Sequence, residues 1–331
     1  MNVFITGGGG FLGKAIIKQL LEKNHKITSY SRSNYPDLDK LGVTHIQGDL
    51  NEYNKLLDAL KDHDIVFHVA AKAGIWGDYS DFYNANVIGT ENIIKACKEA
   101  GIKKLVYTST PSVIYNGKGI EGDNESLPYP DEFEANYPKT KAIAEKKILE
   151  ANGKYLSTVA LRPHLIWGPE DHHFLPRLVK KAKENKLRLI GNNRYLVDCV
   201  YIDNAAKAHI LASEKLDIGS NISGKAYFIT QGKPIYIDEL INGILKAANA
   251  PVVEKRVSMP VAYFAGTLLE TFYKFLNIKS EPPLTRFLVK QLATPHWFNN
   301  SASVRDLGFY ADISVEEGMN RLRDWVNIIN I

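Results

Sequence analysis

Apolar positions in the first half of the chain switch between two periods. Asn2-Val3-Phe4-Ile5-Thr6 is a short β-branched and aromatic run, whereas Lys14 to Leu21 carries its apolar residues at helical spacing. The same alternation predicts further strands at Lys26–Ser31, Val43–Asp49, Asp64–Ala70, Lys104–Ser109 and Thr158–Arg162. Helices are predicted over 51–61, 79–100 and 138–151. The Asp64–Ala70 strand is nearly all apolar and is expected near the centre of its sheet. Short strands alternating with amphipathic helices imply a parallel sheet covered on both faces.

After Pro163 the rhythm breaks. Helical patterns follow at 174–184, 237–248, 259–276, 284–292 and 314–328, with a strand end and helix at 198–213 and one more strand at 226–230. The segment Met259 to Ile278 is apolar on most faces, with only Glu270 and Lys274 charged. Three readings stand: a helix buried between lobes or at an oligomer contact, the wall of a hydrophobic substrate site, or a helix in peripheral contact with a membrane surface.

Chemistry enters at the first strand-to-helix turn. Gly7, Gly10 and Gly13 stand three apart, with Phe11 and Leu12 between them. Glycines there let the backbone turn sharply and approach a pyrophosphate, which meets the free N–H groups and positive dipole end of the helix. This is the opening of a dinucleotide-binding fold. The expected fold is thus α/β, a Rossmann-type doubly wound parallel sheet with a smaller, mostly helical C-terminal substrate lobe. Residues 1–165 are expected to bind NAD(P), with 198–230 returning to that domain. Residues 166–197 and 231–331 are expected to form the substrate lobe.

Tyr137 and Lys141 form the second pillar. Four residues apart on a helix, they share one face, and none of the other tyrosines has a lysine at that spacing. A phenol has a pKa near ~10, so it needs tuning to act as a proton shuttle. A nearby ammonium would lower it toward the working range. Pro138 is expected to open the helix and to push Tyr137 out of helical geometry. Thr108, Ser109 and Thr110 end the fifth strand, where ligands of parallel sheets bind and where a hydroxyl can hydrogen-bond a substrate oxygen. Ser31 and Arg32 end the second strand in place of an acidic residue, which suits an adenosine 2′-phosphate. NADP is therefore expected, with NAD as the alternative. Asp49, followed by Leu50, could receive the adenine amino group or cap the next helix.

Composition closes off other classes. The 331 residues carry a net charge of only +4, with no aromatic-interleaved basic stripe, so no nucleic-acid partner is expected. Cys97 and Cys199 lack metal-ligand spacing and read as buried thiols in a reducing, cytoplasmic compartment. The chain opens directly in a strand, so no signal segment is expected. His172 and His173 follow Asp171 but have no third ligand at useful spacing, and no metal is expected. His68, His209 and His296 read as structural. The partners expected are a small hydrophobic substrate and a second copy of the chain in a homodimer.

These residues resemble the extended short-chain dehydrogenases/reductases, the NAD-dependent epimerase/dehydratase superfamily, and within them the 3β-hydroxysteroid dehydrogenase-like branch. The resemblance rests on Thr6 to Gly13, Gly48-Asp49-Leu50, His68-Val69-Ala70-Ala71, Asn86-Val87-Ile88-Gly89-Thr90, Tyr137 with Lys141, and Leu161-Arg162-Pro163. Ala71 to Gly77, Thr110 to Val113, Ile120 to Gly122, Arg162 to Pro169 and Glu281 to Phe287 look like bacterial 2-alkyl-3-oxoalkanoate reductases. The family's catalytic hydroxyl is commonly serine. Thr110 stands at the matching position, with Ser109 as fallback.

The resemblance implies hydride transfer to a carbonyl, with Tyr137 moving the proton, Lys141 lowering its pKa and holding ribose, and Thr110 bonding the same oxygen. Ala70, Ala71 and Lys72 would lie along the cofactor, and Pro163 to Ile166 at its nicotinamide end. The expected activity interconverts a 3-oxo and a 3-hydroxy group on a sterol-like or long-chain 2-alkyl-3-oxo acid substrate. Trp76, Trp167 and Trp297 and the 259–278 segment motivate the lipid assignment. The alternatives are a nucleotide-sugar epimerase or dehydratase and a non-catalytic NADP-binding regulatory protein. Pro111-Ser112 after Thr110, in place of an acidic pair, counts against a dehydratase.

Overall fold

Seven strands supply the frame of the computed structural model, which describes residues 1–172 and 174–329. They are β1 (Asn2–Thr6), β2 (Lys26–Ser31), β3 (Thr44–Gln47), β4 (Ile65–His68), β5 (Lys104–Thr108), β6 (Ser157–Pro163) and β7 (Lys225–Ile229). All neighbours pair in parallel, in the order β7-β6-β5-β4-β1-β2-β3. Every residue of β4 and β6 is buried, as central parallel strands require. Period-2 alternation still divides the buried residues between faces. Val3 and Ile5 enter one core cluster and Phe4 the other.

Strand order reverses between β1 and β4, so their carboxyl ends leave a crevice. Helix α1 (Phe11–Glu22) rises from it and packs on α3 (Ile202–Lys215). The run predicted over 79–100 is helical throughout but contains a π-helical turn at Asn84–Ile88. That turn sets Asn86 beside the chain leaving β4.

The C-terminal half is mostly helical and also holds a four-stranded sheet that the sequence pattern does not predict. Its order is Ile235–Tyr236, Leu196–Val197, His296–Phe298, Ile120–Asp123. Strands this short give no readable period, and their pairing is long-range. Helix α4 (Met259–Phe275) buries only Ala262, Gly266 and Glu270. Of the three readings of 259–278, burial between lobes is not what is found: one face is packed and the other open. Among the described residues, no helix is long and apolar enough to cross a membrane.

Candidate active site

Helix α2 (Asn136–Glu150) carries the Tyr137 and Lys141 pair. Extended Ala135 caps it, so Tyr137 already lies in the first turn rather than outside the helix. Pro138 fits because first-turn N–H groups have no intrahelical acceptor. Asn136 donates to the Gly77 carbonyl at 2.9 Å and fixes the start of the helix.

The Thr110 hydroxyl stands beside the Tyr137 hydroxyl. Burial pushes the phenol up to about 12, and the Thr110 contact opposes this. The expected lowering by Lys141 is not the arrangement found, because the ammonium is engaged elsewhere. It donates to the Thr108 carbonyl at 2.7 Å and lies 4.1 Å from the Tyr107 ring centroid. Only 2% exposed, Lys141 is itself pushed down to about 7 by burial, opposed by the Glu145 charge. Thr110 also caps the short helix that follows, accepting from the Ser112 N–H at 3.3 Å. The neighbouring Ser109 hydroxyl turns inward toward the Glu145 carboxylate. The two candidate hydroxyls therefore separate, and only Thr110 reaches Tyr137.

Sequence reasoning missed Glu145. It lies four residues beyond Lys141 on the same helical face, and that spacing was the available signal. It forms a buried bidentate ion pair with Arg162, at 2.9 and 2.5 Å, and accepts from Tyr129 at 2.6 Å. These bonds hold its carboxyl below the usual range despite complete burial. Asn86 was missed as a functional support too. Its amide bonds both the N–H and the carbonyl of Lys72, at 2.7 and 3.1 Å, and donates to Thr140 on α2. It thereby ties the end of β4 to α2.

The glycine turn fits a dinucleotide. Gly7 has φ +72°, and a Cβ on it would lie 2.9 Å from the Ala70 backbone. A Cβ on Gly13 would lie 2.2 Å from the Gly7 carbonyl. Gly10 opens α1 with no side chain capping it, so the first-turn amides of Phe11, Leu12 and Gly13 lie at an uncapped helix end. Thr6 and Thr90 clamp buried His68 at 2.8 and 2.9 Å, and burial pushes that ring down to about 3.

The other cofactor candidates are placed as follows. Arg32 is exposed and has no ion-pair or hydrogen-bond partner for its guanidinium among the described residues. Ser31 bonds the Ser33 carbonyl at 3.2 Å. Asp49 accepts from the Asn51 N–H at 2.9 Å in a turn; it does not cap the helix, which begins after Glu52. Leu50 packs under Gly89. Ala70 donates to Thr6 at 3.2 Å, Ala71 is exposed, and Lys72 pairs with Asp81 at 2.7 Å. Thr108 bonds buried His209 at 2.9 Å. Pro163 ends β6, exposed Leu165 takes a left-handed φ of +41°, and Ile166 is half-buried.

A cavity of about 260 Å³ opens beside this centre, lined by Trp76, Gly77 and Asn136 on one side and Tyr273, Lys274 and Ile278 on the other. Of the three tryptophans expected to mark a lipid site, only Trp76 lines it. Trp167 is 2% exposed in the core against Tyr201, and Trp297 packs on Gly122. His173 lies outside the described residues. Among those described, no group of three His, Cys, Asp or Glu side chains could hold a metal ion.

A switch-point glycine turn, a Tyr/Lys helix and a strand-end hydroxyl define an oxidoreductase of the extended short-chain dehydrogenase/reductase type. The sequence profile of the 3-beta hydroxysteroid dehydrogenase/isomerase family matches residues 4–261, and the chain belongs to that family. It is 48% identical to a 2-alkyl-3-oxoalkanoate reductase of Stenotrophomonas maltophilia, over 98% of both chains. It is 47% identical to a protein of the same name from Shewanella oneidensis, over 97% of this chain and 85% of that one. In fold it is similar to a UDP-glucose 4-epimerase of Thermotoga maritima, with a TM-score of 0.78, 19% identity and full coverage of both chains.

Proposed function

We propose that this protein is an NADP-linked reductase of a hydrophobic 3-oxo acid, of the long-chain 2-alkyl-3-oxoalkanoate class. The observation that carries the reading is the meeting of the Tyr137 and Thr110 hydroxyls, with Lys141 one helical turn behind Tyr137. The two 2-alkyl-3-oxoalkanoate reductases support the substrate class. When bound, the nicotinamide cofactor supplies the hydride that reduces the carbonyl carbon. Tyr137 gives its hydroxyl proton to the carbonyl oxygen, and Thr110 hydrogen-bonds that oxygen as its charge grows. With cofactor bound, Lys141, one turn along α2 from Tyr137, would hold the ribose and stabilise the phenolate left on Tyr137. Glu145 and Arg162 act behind it, holding α2 against β6.

Gly7, Gly10 and Gly13, with the amides of Phe11 and Leu12, would hold the pyrophosphate. Ser31 and Arg32 would meet the adenosine 2′-phosphate, and the unpaired guanidinium of Arg32 supports NADP over NAD. In this reading residues 1–165 and 198–230 bind cofactor, and 166–197 and 231–331 bind substrate, joined by the Ile120–Asp123 strand. Two free, buried cysteines fit a cytoplasmic enzyme.

The test is NADPH oxidation against long-chain 2-alkyl-3-oxo acids, 3-oxosteroids and UDP-sugars. Turnover is expected on the first class. Turnover on UDP-sugars alone would overturn the lipid reading. For the cofactor, Arg32→Ala is expected to weaken NADP binding about tenfold while sparing NAD, as loss of a charge-assisted phosphate contact requires. Equal effects on both would remove the argument for NADP.

A further inference from the structure

Helix α4 presents a continuous apolar stripe to solvent. Val261, Phe264, Leu268, Phe272, Phe275 and Leu276 are 59, 65, 55, 54, 85 and 51% exposed. Their spacing puts them on one side of the helix, opposite buried Ala262, Gly266 and Glu270. Scattered exposed apolar side chains need no explanation, but six on one helical face do.

The inner face ties the helix to the protein. A Cβ on Gly266 would come within 3.1 Å of the Thr285 backbone. Glu270 accepts from the Arg286 N–H at 2.7 Å and from its guanidinium at 2.9 Å. A helix held this way can lie on an apolar medium but cannot cross it. Its 17 residues rise only ~26 Å in any case.

Charge selects the occupant. Lys255 and Arg256 precede the helix, and Lys274 and Lys279 stand at its far end. Arg177 and Lys181 reach the following loop at Glu281 and Pro283, and exposed Phe174 opens the helix that carries them. Asp78, Glu281 and Asp238 pair with Lys279, Arg177 and Arg256, so among the described residues it is the exposed Lys255 and Lys274 that have no carboxylate partner. A second copy of the face would bring basic ends against basic ends, whereas an anionic lipid surface neutralises them. The stripe also runs to the mouth of the cavity, which Tyr273, Lys274, Asn277 and Ile278 line.

We propose that this face docks the protein shallowly on an anionic phospholipid bilayer, with the cavity mouth at the lipid surface. Delivery of substrate from the bilayer rests on the lipid reading above; the docking does not, because it is read without turnover. The experiment is flotation of the full chain with vesicles of phosphatidylcholine, alone or mixed with phosphatidylglycerol. Binding to the mixed vesicles is expected, falling with added salt. The Phe264→Gln, Phe272→Gln, Phe275→Gln triple variant is expected to lose partitioning at least about tenfold, since apolar burial and charge attraction together set such affinity. Lys274→Glu, outside the apolar stripe, is expected to weaken binding less and to flatten its salt dependence. Three results would overturn the proposal. The full chain fails to float with either vesicle, the triple variant floats as the parent does, or sedimentation without lipid shows a dimer that the triple variant splits.

Discussion

Two helices invert the usual rule of polar outside and apolar inside, in opposite senses. Helix α2 buries Lys141 at 2% and Glu145 at 0% exposure. Helix α4 leaves Phe264 and Phe275 65% and 85% exposed. In α2 the buried charges are answered one by one: Lys141 by the Thr108 carbonyl, Glu145 by Arg162 and Tyr129. In α4, among the described residues, no ring meets Phe264 or Phe275, and Phe272 meets only its neighbour Tyr273. A buried charge has to find its partner inside the fold, because an unpaired one costs several kcal/mol. An exposed ring costs the folded monomer little, so its partner can lie outside the molecule. The first inversion therefore completes a site, and the second leaves a surface open.

The comparison can be broken at four places. Tyr137→Phe removes the proton donor from α2. Turnover is expected to fall about a thousandfold while NADPH binding, followed by fluorescence titration, is retained. Glu145→Ala leaves Arg162 buried without its carboxylate. Urea unfolding is expected to show a loss of about 3 kcal/mol. An unchanged midpoint would mean that the buried pair does not hold α2.

Lys141→Met should abolish turnover and stabilise the fold by about 1–2 kcal/mol near pH 7, because a buried cation is replaced by an apolar chain. The gain depends on pH. With its pKa pushed down to about 7 in the folded protein, Lys141 has lost its proton between roughly pH 7 and 10, where the unfolded chain still keeps it. The unfolded state then binds more protons, so the parent's stability rises with pH across that window. The advantage of Lys141→Met should narrow accordingly in urea melts at pH 7.5 and pH 9.5, chosen on the order of that window. A constant gap would contradict the burial argument. The smallest effect is expected from Phe272→Gln on α4, with stability within about 0.5 kcal/mol of the parent. A larger loss would mean that the stripe is packed in solution.

Much of the frame was legible in residues that act locally. Gly7 and Gly13 announce the turn because a Cβ at either would run into backbone. The all-apolar β4 announces a central strand, and Tyr137 with Lys141 announces a shared helical face. Thr110 and Ser109 could not be told apart in sequence. Neighbouring residues at a strand end point to different sides, and only the packing of α2 decided which hydroxyl meets Tyr137. Trp167 illustrates the opposite error. An aromatic near a family-like motif suggested a ligand wall, whereas its ring fills the core against Tyr201.

The sequence by itself determined the α/β alternation, the glycine turn and the pairing of Tyr137 with Lys141 on one helical face. Each depends on residues within a few positions of one another, where backbone sterics and helical periodicity act. Tertiary structure alone decided the Glu145–Arg162 pair, the clasp of Asn86 on Lys72, the short four-stranded sheet and the open face of α4. These depend on which distant segments come together, and a helix apolar on nearly every side does not state which side its neighbours will cover.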